Sequence, residues 1–206
     1  MASRLLAVFL LLCIAGSGLG AGAGRAAEPT PSAIVERLNA VLIEVMQGAE
    51  ALGFQGRYAR LAPVLSATFN FPLMARISAG RRWRALDQAT RGRFVEAFGK
   101  LSIATYAARF DGYGGERFEV LGEAPARRKT VLVRNRLVKS DGEAVAIDYL
   151  LKAAEGRWRV VDVFLDGKYS ELALKRSEYG SVIKNHGIEV LIQSLDEKAA
   201  ELAAKN

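Results

Sequence analysis

The sequence predicts an α+β fold in one domain, with helices first, antiparallel strands next and helices again at the end. Three observations carry this. Apolar residues recur at helical spacing from Ile34 to Phe110, the period switches to alternation after "DGYGG" at 111–115, and helical spacing returns from Tyr169. No internal repeat, low-complexity tract or long linker divides the chain.

Each element follows from its own residues. Ile34, Val35, Leu38, Val41, Leu42, Val45 and Met46 make one helical stripe. Gly53 and Gly56 interrupt the pattern, and "RYARLAPVLSATFNFPLMARISAG" reads as short helical pieces. Asn70 with Pro72 two places on marks a helix start, supplying a side-chain acceptor and a ring that fits the first turn. Asp87 opens a long helix through Phe110, with Phe94, Phe98, Leu101 and Tyr106 near one face. "RFEVLGE", "TVLVRNRLV", "EAVAIDYLL" and "RWRVVDVFL" are strand-like runs. Asp141-Gly142 and Glu155-Gly156 mark the two later turns, so the strands read as a meander of hairpins. Helices over 169–184 and 188–204 close the chain, parted by "NHG", whose Gly187 suits a left-handed cap.

The chain start predicts export. Arg4 precedes an unbroken apolar run from Leu5 to Ala15, and small residues follow, with cleavage expected after Ala23 or Ala26. The run is too short to span a hydrocarbon core of roughly 30 Å. Residues 1–26 are therefore assigned to a signal peptide and 27–206 to the folded domain. Cys13, the sole cysteine, lies in the apolar run, so the mature chain has no disulfide to staple it. Its core must hold alone. The formal charge of +7 loses Arg4 and Arg25 on cleavage and stays positive, which suits solubility or attraction to anionic surfaces. Nucleic acid is a poor partner for an exported chain.

The last two strands are apolar on both faces. Loops of two or four residues put Val145, Ile147, Tyr149 and Leu151 beside Trp158, Val160, Asp162 and Phe164. A half-wet antiparallel sheet alternates cleanly, so either protein covers both faces or one face looks into an apolar cavity. Filled cores are the norm and favour coverage. Asp162 pulls the other way, because a buried carboxylate needs a partner, which the Tyr149 phenol could supply across the strands.

Catalytic constellations are missing from the sequence. His186, the sole histidine, sits in the helix end "KNHG", where a capping role fits. No mature cysteine offers a nucleophile or metal ligand, and no serine lies in a Gly-x-Ser-x-Gly elbow. "GYGGE" lacks the spacing of a phosphate-binding loop, and Asp162 and Asp166 give no calcium-loop spacing. No metal, cofactor or enzymatic activity is expected. The cluster Arg81, Arg82, Arg84, Arg91 and Arg93 brackets Trp83. It reads either as a solvated helix rim or as a docking surface for an anionic headgroup or acidic partner.

Several of these marks together resemble the MlaC family of periplasmic lipid-binding proteins, the auxiliary component of toluene-tolerance lipid transport systems. They are "FNF" at 69–71, Trp83, the helix positions Phe94, Phe98, Leu101, Thr105, Tyr106 and Ala107, Tyr113, and a strand with Trp158, Asp162, Val163 and Gly167. A closing "G…LI..L" helix completes them, so the resemblance spans about Ile34 to Leu195. "DGKYSELALKRSEYGSVI" is most similar to the hopanoid-associated branch, HpnM. The family commonly has Asp where this chain has Asn70.

The resemblance implies a twisted sheet of about four strands, surrounded by helices, that encloses an apolar pocket for lipid tails. By position it implies Phe98, Leu101, Tyr106, Val145, Ile147, Tyr149, Phe164 and Tyr169 as lining residues. The implied cargo is a phospholipid or hopanoid. It would be carried by a periplasmic monomer between an inner-membrane transporter and an outer-membrane donor or acceptor. Two other classes stay open at this level, an adaptor subunit with a filled core and a lipid hydrolase whose nucleophile is not apparent.

Overall fold

The computed structural model describes residues 28–205. The expected signal peptide, with Cys13 and the expected cleavage site, lies outside the described residues. Helices α1 (Pro31–Gln47), α2 (Ala49–Thr68), α3 (Phe71–Ala79) and α4 (Gln88–Arg109) come first, with a 3-10 helix, Gly80–Ala85, between α3 and α4. Strands β1 (Arg117–Ala126), β2 (Thr130–Val138), β3 (Ala144–Ala154), β4 (Arg157–Leu165) and β5 (Tyr169–Ser170) follow, then α5 (Glu171–His186) and α6 (Ile188–Lys205). The order is the expected one. Where two breaks are expected in α2, the chain breaks once, at Gly53, whose φ of 56° and ψ of −177° leave the helical region.

The helix starts form as their residues dictate. Asn70 Oδ1 accepts from the Leu73 amide at 3.1 Å, Asp87 Oδ1 from Thr90 at 2.8 Å, and Ser170 Oγ from Ala173 at 2.9 Å. Arg57, buried, donates from Nε to the Ala107 carbonyl at 2.8 Å and from Nη1 to Ala49 at 3.1 Å. One of these is a carbonyl in the last turn of α4, which no helical amide can reach.

The strands form a single antiparallel sheet in sequence order, β1 to β5. The sequence reading counts four strands; the fifth is two residues long and folds back on β4, with Phe164 opposite Ser170 and Leu165 opposite Tyr169. An Asp166-Gly167 turn makes this possible, both residues having positive φ (52° and 63°), the geometry of a tight hairpin. At the other end of β4, Phe69 makes a parallel bridge to Val160, and the Asn70 amide donates to the Val160 carbonyl at 2.8 Å. Strand β1 carries a register shift between Val120 and Gly122 and has Pro125 near its end.

The helices pack against the face that carries Val133, Tyr149, Leu151, Val160 and Val163, all part of the core. The other face is not covered in the same way: Leu132, Leu150 and Phe164 are half-buried there, and Arg134 is exposed. The expectation of full coverage on both faces is corrected on this point.

The register of β3 and β4 corrects the expected pairing. Near the Glu155-Gly156 turn it is as expected, Ala153 opposite Trp158 and Leu151 opposite Val160. Beyond it the register shifts, and Leu150 lies opposite Asp162, Tyr149 opposite Val163 and Ile147 opposite Leu165. A bulge at Val161 adds one residue to β4, and one residue exchanges the faces of everything past it. Asp162 and Phe164 thus point away from Tyr149.

Candidate functional site

The bulge decides what Asp162 does. With 8% of its surface exposed, it accepts from Ser170 Oγ at 2.6 Å, the Val163 amide at 2.8 Å and the Leu172 amide at 3.0 Å. It therefore ties β4 to β5 and to the first turn of α5. The Tyr149 phenol is not among its partners. Burial pushes the Asp162 carboxyl above its ordinary range, against the pull of these hydrogen bonds.

Between the helical layer and the sheet lies a cavity of about 120 Å³. Leu65, Phe69, Phe71 and Met74 form one wall, from the end of α2 through α3. Tyr106 and Phe110 with Ser102 and Thr105 come from the end of α4, and Ile147, Tyr149, Val163 and Leu165 from β3 and β4. The aromatic groups lock one another. Phe69 lies edge-on to Tyr106 at 5.7 Å and to Tyr149 at 6.3 Å, and is stacked on Phe71 at 5.7 Å. Ser102 and Thr105 turn their hydroxyls back to the Phe98 and Leu101 carbonyls, at 2.7 and 2.8 Å, so they present little polarity to the interior.

Charge enters the lining at Arg109, Glu171 and Lys175. None of the three forms an ion pair among the described residues. Burial holds the Lys175 ammonium below the usual lysine range, opposed by Glu171 and Glu178, and the ammonium sits 5.9 Å from the centre of the Tyr179 ring. Burial likewise raises the Tyr106 phenol to about 12 and pushes that of Tyr149 well up. Both stay neutral at any physiological pH. The cavity is an apolar chamber with unpaired charges on part of its wall, an arrangement with a place for both halves of an amphiphile. A ligand pocket usually measures roughly 300–1,000 Å³, so an occupant of lipid size has to widen this one.

Of the residues singled out beforehand, the structure brings Tyr106, Ile147 and Tyr149 together in the lining. Phe98 and Leu101 are buried in the core, the Phe98 ring meeting Phe71, Phe94 and Tyr179. Val145, half-buried opposite Leu137, is outside the lining. Phe164 is on the far face because of the bulge, and Tyr169 is 66% exposed in β5. The remaining lining residues, Leu65, Phe69, Phe71, Met74, Ser102, Thr105, Phe110, Val163, Leu165 and the three charged residues, were missed by sequence reasoning. "FNF" is visible in the sequence, but its bridge to β4 joins residues about ninety apart.

The basic cluster divides in two. The Arg91 guanidinium lies 5.4 Å from the centre of the Trp83 ring and donates to the Trp83 and Arg84 carbonyls, while Arg93 forks onto Glu189 at 2.6 Å. Trp83 also packs against Phe94. Arg81, Arg82 and Arg84 have no acidic partner among the described residues. Among those residues no group of three or more His, Cys, Asp or Glu is placed to hold a metal ion, and no helix is long and apolar enough to cross a membrane.

Comparison with known proteins adds two findings. A family model described as MlaC protein matches residues 36–197. Among solved structures the chain is similar to the phospholipid-binding protein from Ralstonia solanacearum, determined in complex with a phospholipid. Identity is 24% and the TM-score 0.72, over 83% of this chain and 97% of that one, a likeness of fold. No curated protein matches the chain.

Proposed function

The chain belongs to the MlaC family, and from that premise we propose that it is a lipid carrier, sheltering the tails of one lipid in the cavity and leaving the headgroup at the charged wall. The observation that carries this reading is the chamber itself, apolar on the sheet side and charged only at Arg109, Glu171 and Lys175. Carriage makes and breaks no bond. Exposing a tail to water costs about 0.8 kcal/mol per CH₂, so shelter removes most of the barrier to crossing an aqueous space. Phospholipid is the favoured cargo, in line with what the Ralstonia solanacearum protein binds; a hopanoid is the second candidate, from the resemblance of "DGKYSELALKRSEYGSVI". The setting is the periplasm, reached through residues 1–26. There the carrier would exchange cargo with an inner-membrane transporter and an outer-membrane donor or acceptor.

Protein purified from its own periplasm is expected to yield about one lipid per chain on organic extraction. The modest cavity volume favours a competing reading, an adaptor subunit with a filled core. Folded protein that yields only detergent-level traces of lipid would establish that reading in place of carriage.

Arg81, Arg82 and Arg84 are proposed to dock anionic headgroups or an acidic partner during transfer. A basic side chain near an anionic surface contributes about 1 kcal/mol, so replacing all three by Ser should slow transfer to anionic liposomes at least tenfold at low salt. Raising salt should slow the wild type in the same way, since exposed charges are screened over roughly 10 Å at 0.1 M. Unchanged transfer by the folded triple variant at low salt would make the cluster an ordinary solvated rim.

A further inference from the structure

Tyr149 lines the cavity and is 0% exposed, yet its hydroxyl has no hydrogen-bond partner among the described residues. An unsatisfied buried hydroxyl shifts the folding equilibrium against the native state by roughly five- to 150-fold, and a phenylalanine would fill nearly the same space without that cost. No side chain among the described residues is placed to close a hydrogen bond with the Tyr149 hydroxyl. Ser102 and Thr105 are committed to backbone carbonyls, and the Asp162 carboxylate is turned to the other face. The Tyr106 and Tyr149 phenols perturb each other as near neighbours do, but the contact falls short of hydrogen-bond geometry. Two phenols thus converge on one stretch of an otherwise apolar wall.

We propose that the cargo supplies the missing partner: the lipid carried here bears a hydroxyl on its buried apolar part, held between Tyr149 and Tyr106. One such oxygen can accept from the Tyr149 hydroxyl and donate to that of Tyr106, which supplies Tyr149 with the partner it lacks. A plain hydrocarbon tail at the same place leaves Tyr149 orphaned. The discrimination is of the kind a polar group buried in a site exerts against an analogue that lacks its partner. The inference rests on the carrier reading and deepens it by naming the class of tail.

The test uses delipidated mature protein, stearate, and a set of hydroxystearates with the hydroxyl moved stepwise along the chain. At least one positional isomer is expected to bind about tenfold more tightly than stearate, the effect of one hydrogen bond made to an otherwise unsatisfied group. Tyr149→Phe should level that ratio and raise the unfolding midpoint of the lipid-free protein, and Tyr106→Phe should reduce the ratio. Stearate bound as tightly as every isomer, or a preference that survives in Tyr149→Phe, would overturn the hydroxyl inference while leaving carriage standing. Folded protein that binds neither stearate nor any hydroxystearate would overturn both.

Discussion

Replacing Ile147 by glutamate is expected to strip the protein of co-purifying lipid while leaving it folded. Ile147 is half-buried on β3 and lines the cavity beside Tyr149. In lipid-free protein the new carboxylate can hydrate through the cavity. Against a lipid tail it must lose that water or take up a proton, either at a cost of a few kcal/mol. Affinity should fall about 100-fold, which 2.8 kcal/mol gives. Val145→Glu, two residues away on the same strand but outside the lining, is the matched control and should retain its lipid. Mass spectrometry of the two variants, with circular dichroism to show that each is folded, makes the comparison. Full lipid content in the Ile147 variant would move the binding site away from this chamber.

Asp162→Ala should be the most damaging single change to stability, at about 3–5 kcal/mol. It orphans the buried amides of Val163 and Leu172, at about 1–3 kcal/mol each, and frees Ser170 from the strand it is tied to. Asp162→Asn keeps an acceptor and should cost less. The pH dependence separates the two roles of the group. Because burial raises the carboxyl above its ordinary 3.8, the folded state binds the proton more tightly than the unfolded one. The contribution of this group is therefore greatest below about pH 3.8 and declines as pH rises through the raised folded value. In urea unfolding from pH 3 to 6, the wild type should lose stability relative to Asp162→Asn over that window. A constant difference between the two proteins would mean that Asp162 titrates normally.

Residue order and spacing made most of the fold legible. Asn70, Asp87 and Gly187 mark helix ends where the structure has them, and Glu155-Gly156 places the last long hairpin, because caps and turns are local chemistry. The chamber was legible only in part. Alternation along "RWRVVDVFL" cannot reveal that Val161 is an extra residue, since a bulge is fixed by what both strands bond to, and that single shift exchanged Phe164 for Val163 and Leu165 in the lining. It also separated Asp162 from Tyr149, whose pairing parity alone had suggested. The charged wall was out of reach for another reason. Arg109 ends α4 while Glu171 and Lys175 lie in the first turns of α5, and only the fold brings these two helix ends together.

The short pairings along the outer side of β4 have a consequence for how the protein behaves at high concentration. A sheet whose last strand is long and apolar presents a row of free amides and carbonyls that a second copy can extend into a fibre. Here β5 occupies that row at one end of β4 and the Phe69–Asn70 segment at the other. The opposite margin, β1, is blunted by its register shift, by Pro125 and by the Glu119 carboxylate bridging Arg117 and Arg136. Phe69 thus serves both as a wall of the chamber and as a guard of the sheet against self-association, and any motion that widens the chamber must leave the two patches on β4 in place. Under the proposed carrier function, opening by release of these pairings would expose the sheet to aggregation.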